Sequence, residues 1–164
     1  MNTKAPTPKI EVRLGEPGDA PSIAAVLRDS FKEYRPLYTD GGFAATTPTG
    51  KQIRNRWHEG PVWVALLDGA IVGTVSAVPK GEGLYVRSMA VLPSARGHGI
   101  GELLLGGVES FAVTHGHKQL FLSTTPFLAR AIRLYEHWGF TRDDKGIHDL
   151  FGTPLFTMVK TLKS

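Results

Sequence analysis

The stretch VLPSARGHGIGELLL, residues 91–105, places glycines and a cation where an anion could be held. An apolar strand ends at Leu92, Pro93 breaks it, and Gly97, Gly99 and Gly101 open a helix behind Arg96. Glycines let backbone N–H groups approach a ligand, and a helix N-terminus adds unpaired donors and a positive dipole end. The combination suits a pyrophosphate. Two better-known phosphate motifs fail. The G-x-G-x-x-G fingerprint breaks because Glu102 stands three residues after Gly99 and Leu104 three after Gly101. The Walker pattern breaks because Gly50-Lys51 is followed by Gln52. Taken alone, the glycines fit a tight turn without a ligand equally well. Downstream, Leu128, Ala131, Ile132 and Tyr135 recur at i, i+3, i+4 and i+7, so one helix face is apolar and Tyr135 points inward.

The elements that must position these residues follow from turn signals and periodicity. The chain has 164 residues, enough for one domain of ordinary size. Residues 1–9, with two prolines, read as a loose tail preceding a domain over 10–164. Ile10, Val12 and Leu14 alternate as a short strand, and Ile23, Val26, Leu27 and Phe31 mark a helix after Asp19. Residues 33–50 mix turn formers with aromatics and read as a long loop, with a short helix around Ile53–His58. VWVALL and AIVGTVSAV flank Asp68-Gly69, a strong hairpin signal, and Leu84–Leu92 completes a meander. A helix over Gly99–His115, a strand over Gln119–Ser123, a helix over Phe127–His137 closed by Gly139, and a strand over 155–162 complete the pattern. Gly106-Gly107 inside a helix reads as close packing on the sheet. The expected fold is mixed α/β: a largely antiparallel sheet of six to seven strands flanked by about four helices.

Composition narrows the chemistry. Cysteine is absent, which removes disulfides, thiolate metal sites and a cysteine acyl-enzyme. Net charge is +4 with no Lys/Arg block, so no nucleic-acid arm is expected. No apolar run approaches the roughly 18–20 residues of a membrane span, and the N-terminus lacks a signal-peptide core, so a cytoplasmic protein is expected. His115 and His117 are the close histidine pair, in a turn that reads as solvated, so no metal is expected.

The segment from about Leu84 to Phe140 resembles the GNAT N-acetyltransferase superfamily. The resemblance rests on Met89-Ala90-Val91, Pro93, and Arg96-Gly97-His98-Gly99-Ile100-Gly101 before an amphipathic helix. It rests equally on Ala131-Ile132-Arg133-Leu134-Tyr135-Glu136-His137-Trp138-Gly139-Phe140, similar to that family's A-x-x-L-Y-x-x-x-G-F. It implies acetyl-CoA as cosubstrate, with backbone amides from Arg96 to Glu102 on the pyrophosphate. The main chain of Met89, Ala90 and Val91 would lie along the pantetheine arm, where the fourth and fifth strands splay apart. The Val91 N–H would polarise the thioester carbonyl, and Tyr135 would be the general acid for the departing thiolate. A structural tyrosine on a core face would show the same pattern.

Two positions depart from the family's pattern. Leu128 stands where many members carry an asparagine on the pantetheine, which leaves Ser123, Thr124 or Thr125 to supply that contact. Tyr85 stands where some carry a catalytic glutamate; Glu82 has the wrong strand parity, and His58, His148 and ordered water stay open as routes for the proton. The resemblance implies direct attack by a primary amine, of a small molecule or peptide, in a ternary complex. An acyl-CoA-binding module without turnover and a transferase of another acyl group are the alternatives. Tyr34, Tyr38, Phe43 and Tyr85 are expected to wall the acceptor pocket, with Asp40 or Glu33 for the amine's charge. Dimerisation, common among relatives, is a further expectation.

Overall fold

Asp68 and Gly69 both adopt positive φ, +51° and +86°, and join β2 (Val62–Leu67) to β3 (Ala70–Lys80) as the sequence predicts. The computed structural model describes residues 7–143 and 146–163. β1 (Ile10–Leu14) pairs with β2 on one side, and β4 (Gly83–Val91) pairs with β3 on the other, all antiparallel. β5 (Gln119–Thr124) runs parallel to β4, and β8 (Thr153–Thr161) returns antiparallel beside β5. Two short strands, β6 (Thr141–Arg142) and β7 (His148–Leu150), both pair with β8. The mixed, largely antiparallel fold expected from sequence is thus found, as an eight-stranded sheet.

Among the described residues there are five α-helices, four of which cover the two faces of the sheet. α1 (Ala20–Phe31) and α3 (Gly50–Asn55) lie on one face, where Ile23, Val26, Leu27 and Ile53 bury against Val64 and Ala90. α4 (Ile100–Thr114) and α5 (Ala129–Trp138) lie on the other, where Leu104, Leu105, Val108 and Tyr135 pack on Ala65, Val75, Val86 and Leu120. Gly107 has the Trp63 indole 3.2 Å from where a Cβ would sit, so the sheet-packing reading holds there. Gly106 instead faces Trp138 of α5 at 3.9 Å, an ordinary contact.

The segment 33–50 is not a loop. It holds a 3-10 turn over Lys32–Leu37 and helix α2 (Asp40–Thr46), whose Gly42 N–H donates to the Thr39 hydroxyl. A Cβ on Gly41 would meet the Phe151 side chain at 2.8 Å, and one on Gly42 the Thr153 hydroxyl, so these glycines permit close packing on the β7–β8 hairpin. α5 starts at Ala129, which leaves Leu128 as its N-cap rather than part of the helical face.

The start of α1 is tied to β1 by charge. Arg13 donates to both carboxylate oxygens of Asp19 at 2.8 and 3.2 Å, and the Glu16 N–H donates to the same carboxylate. The Arg13 hydrogen bond, against a smaller opposing effect of burial, holds Asp19 below the usual carboxylate range. Its contribution is present above the unfolded pKa and is lost as pH falls through the folded one. Asp19→Asn is therefore expected to cost about 1 kcal/mol at neutral pH. Urea unfolding of the two proteins should converge as pH falls through the lowered folded-state pKa of Asp19; a gap that persists in acid would assign the loss to packing.

Candidate active site

β4 and β5 are hydrogen-bonded only from Gly83 to Tyr85 against Gln119 to Phe121 and then separate. A cleft of about 850 Å³ fills the resulting gap and reaches both faces of the sheet. On the α4/α5 face it is lined by Met89, Val91, Gly97, Gly99, Ile100, Gly101 and Tyr135; on the α1 face by Ser30, Tyr34, Tyr38, Thr46, Arg56 and Arg87.

A β-bulge sets the edge of β4. Ser76 pairs with Arg87 but Thr74 pairs with Ala90, so Ser88 and Met89 together oppose Val75. Ser88 takes φ +54°, a conformation uncommon for a non-glycine residue. Beyond the bulge the Leu92 N–H donates to the Val72 carbonyl at 2.8 Å, so strand alternation turns the Val91 N–H away from β3 and into the gap.

The glycine loop follows. Gly97 and Gly99 adopt φ of +90° and +72°, which L side chains rarely do, and a Cβ on Gly97 would touch nothing within 4 Å. No side chain caps α4, and its first backbone bond runs from the Leu103 N–H to the Gly99 carbonyl. The N–H groups of Ile100, Gly101 and Glu102 are thus left for a ligand or solvent. Arg96 lines the cleft but donates to Glu33 at 3.1 Å, an ion pair between the segment after α1 and this loop. The His98 side chain is exposed.

Tyr135 is the buried residue of α5, in edge contact with Phe140 at 5.8 Å. Burial, and secondarily Tyr38, pushes its phenol well above the usual tyrosine range. Burial likewise raises Tyr38, whose hydroxyl lies beside Thr125 and Thr46. The Thr124 hydroxyl, also lining the cleft, is buried without a partner.

Several sequence expectations for the acceptor side need correction. Tyr34, Tyr38 and Tyr85 line the cleft, but Phe43 does not: it stands behind Tyr38 with Arg35 over its ring. Asp40 is paired with Arg35 and Glu33 with Arg96, so both carboxylates are already engaged. Glu82 pairs with Lys118 outside the cleft, and His58 is exposed outside it. His148 contacts Ser123 at 3.2 Å on the exposed rim. Sequence reading missed Arg56, Arg87 and Ser30. Ser30 carried a signal, a hydroxyl in the apolar stripe of α1 defined by Ile23, Val26 and Leu27.

The sequence profile of the Acetyltransferase (GNAT) family matches residues 24–140. The uncharacterized N-acetyltransferase YjgM of Escherichia coli is 32% identical over 150 residues, covering 88% of this chain and 89% of the relative. The N-acetylaspartate synthetase of Homo sapiens is 38% identical over 98 residues, 58% of this chain and 32% of that protein. Among solved structures, the PaiA N-acetyltransferase of Thermoplasma acidophilum in complex with coenzyme A aligns with a TM-score of 0.80 at 19% identity. That alignment covers 94% of this chain and 99% of that one, and it shows the shared fold. The chain belongs to the acetyltransferase (GNAT) family and is an acyltransferase. Among the described residues, no helix is long and apolar enough to cross a membrane.

Proposed function

We propose that the protein transfers an acetyl group from acetyl-CoA to a primary amine by direct attack in a ternary complex. The observation that carries this reading is the continuity of the cleft. It joins the uncapped N-terminus of α4 and the free edge of β4 to Tyr135 on one face, and opens to an aromatic pocket on the other. The residues present fit the cosubstrate: positive-φ glycines leave room at the helix N-terminus, and the Thr124 hydroxyl has an unfilled hydrogen bond where the family's asparagine is replaced by Leu128.

Acetyl-CoA, when bound, supplies an activated thioester. The amides of Gly97–Glu102 hold its pyrophosphate, with Arg130 and Arg133 on the same wall of the cleft. Met89 and Val91 offer main-chain hydrogen bonds like those of an added strand. The Val91 N–H donates to the thioester carbonyl oxygen, a contribution that reaches a few kcal/mol in such donors. Tyr135 keeps its proton at every working pH and presents it to the departing sulfur. Full transfer would leave a phenolate in a buried site, so its main role is a hydrogen bond that strengthens as negative charge develops. No carboxylate or histidine lines the α1 side of the cleft among the described residues, so the amine loses its proton to solvent before attack. Turnover should therefore rise with pH to a plateau set by the acceptor amine, with no alkaline fall from Tyr135.

Acetyl-CoA at about 100 times its dissociation constant is expected to stabilise the fold by roughly 2.7 kcal/mol, a rise in Tm of about 5–10 °C. NADH and ATP at equal concentration should raise it far less. Thiol release with an amine panel then separates a transferase from a binding module. Absence of any shift at saturating acetyl-CoA would overturn the reading.

A further inference from the structure

The α1 side of the cleft is cationic. Arg87 leaves β4 just before the bulge, on the face opposite Val86, and its Nη2 donates to Glu59 Oε2 at 2.7 Å. Arg56, at the end of α3, makes no side-chain hydrogen bond or ion pair among the described residues. Its Nε is closed off from solvent without an acceptor, as are the Arg87 Nε and the Ser30 hydroxyl. All three residues line the cleft, and the two arginines also border a smaller cavity of about 30 Å³ behind it. Burial, then the charge of Arg87, draws Arg56 below the usual guanidinium value, with Glu59 opposing. Among the described residues Glu59 is bonded to Arg87 alone, so the second guanidinium has no carboxylate of its own, and buried donors without acceptors are rare in folded proteins.

The charge balance also says what does not belong there. Glu102 is the single carboxylate lining the cleft among the described residues, and it sits at the start of α4 on the other face. A diamine or a lysine-rich peptide would bring a second cation against Arg56 and Arg87 with nothing to neutralise it. An amine that brings its own anionic oxygens would neutralise the two guanidiniums, and a guanidinium fork matches a carboxylate in two parallel hydrogen bonds.

We propose that the acceptor is an amine carrying a carboxylate, in the first instance a free amino acid, with Arg56 as the anion anchor and Arg87 and Ser30 beside it. This deepens the acetyltransferase reading and rests on it. Thiol release should be measured for free L-amino acids, their carboxamides, O-phosphoethanolamine and putrescine. The best amino acid should exceed its carboxamide in kcat/KM by about 10–100-fold, the scale of one charged hydrogen-bonded contact. Arg56→Gln should bring the two to similar kcat/KM through a higher KM, Arg56→Lys should recover part of the preference, and coenzyme A affinity should stay as a check of folding. Carboxamides or putrescine used as well as amino acids would overturn the proposal while leaving the transferase reading standing. A preference for O-phosphoethanolamine over every amino acid would overturn the carboxylate assignment. If no amine releases thiol, the transferase reading falls. Calorimetry of the amino acids with the coenzyme A complex then decides this one: binding that Arg56→Gln loses supports it, and no binding overturns it.

Discussion

Tyr135→Phe is expected to lower turnover by about 10²–10⁴-fold, the range for a positioned proton donor. The ring is retained, so contact with Phe140 and packing beside Ala131 and Ile132 persist. The hydroxyl makes no hydrogen bond to a described side chain, so its removal orphans no partner, and stability should change by less than about 1 kcal/mol. Acetyl-CoA affinity should change by less than about tenfold, because the phenol acts on the sulfur as it leaves. The deficit should shrink with acyl donors whose thiols leave more readily. Wild-type turnover by the variant on a confirmed amine, with chemistry limiting in both proteins, would make Tyr135 a packing residue and leave stabilisation of the departing thiolate to solvent.

Gly99→Val is expected to weaken coenzyme A binding by at least about 100-fold, equivalent to about 2.7 kcal/mol. In the unliganded protein a Cβ here meets only Glu102 Oε2 at 3.8 Å, so space is not the obstacle to folding. The backbone is: φ of +72° costs a β-branched residue roughly 1–2 kcal/mol. Denaturant unfolding should register that loss, and calorimetric titration should register the larger loss of binding. Gly99→Asn, which tolerates left-handed φ, separates the two effects: stability should largely return while affinity stays impaired. Unchanged affinity in a folded Gly99→Val protein would reduce the glycines to turn formers.

The glycine loop, the hairpin at Asp68-Gly69 and the inward face of Tyr135 were readable because each is written in fewer than a dozen consecutive residues. The acceptor side was not. Arg56 and Arg87 come from a short helix and a strand, and only the packing of α1 and α3 on the sheet brings them to one wall. Gly41-Gly42 looked like a turn because the β7–β8 hairpin that needs their missing Cβ atoms lies more than a hundred residues away. Phe43, Asp40 and Glu33 had suitable chemistry, but Tyr38, Arg35 and Arg96 had already claimed them.

The bulge at Ser88 also makes the length of β4 quantised. Ahead of it, Leu84 and Val86 face α4 and α5; behind it, Met89 and Val91 do, while Arg87 and Ala90 face α1. The extra residue exchanges odd for even in mid-strand, so the acceptor wall and the thioester edge are counted from opposite ends. A one-residue deletion at 88 or 89 would bring the strand back to simple alternation. Because such a deletion removes only the extra residue, Arg87 would still face α1 and the Val91 N–H would still point away from β3. Loss of one residue at the bulge should therefore preserve both walls of the cleft, whereas a single insertion or deletion elsewhere in the strand should reverse one flank relative to the other.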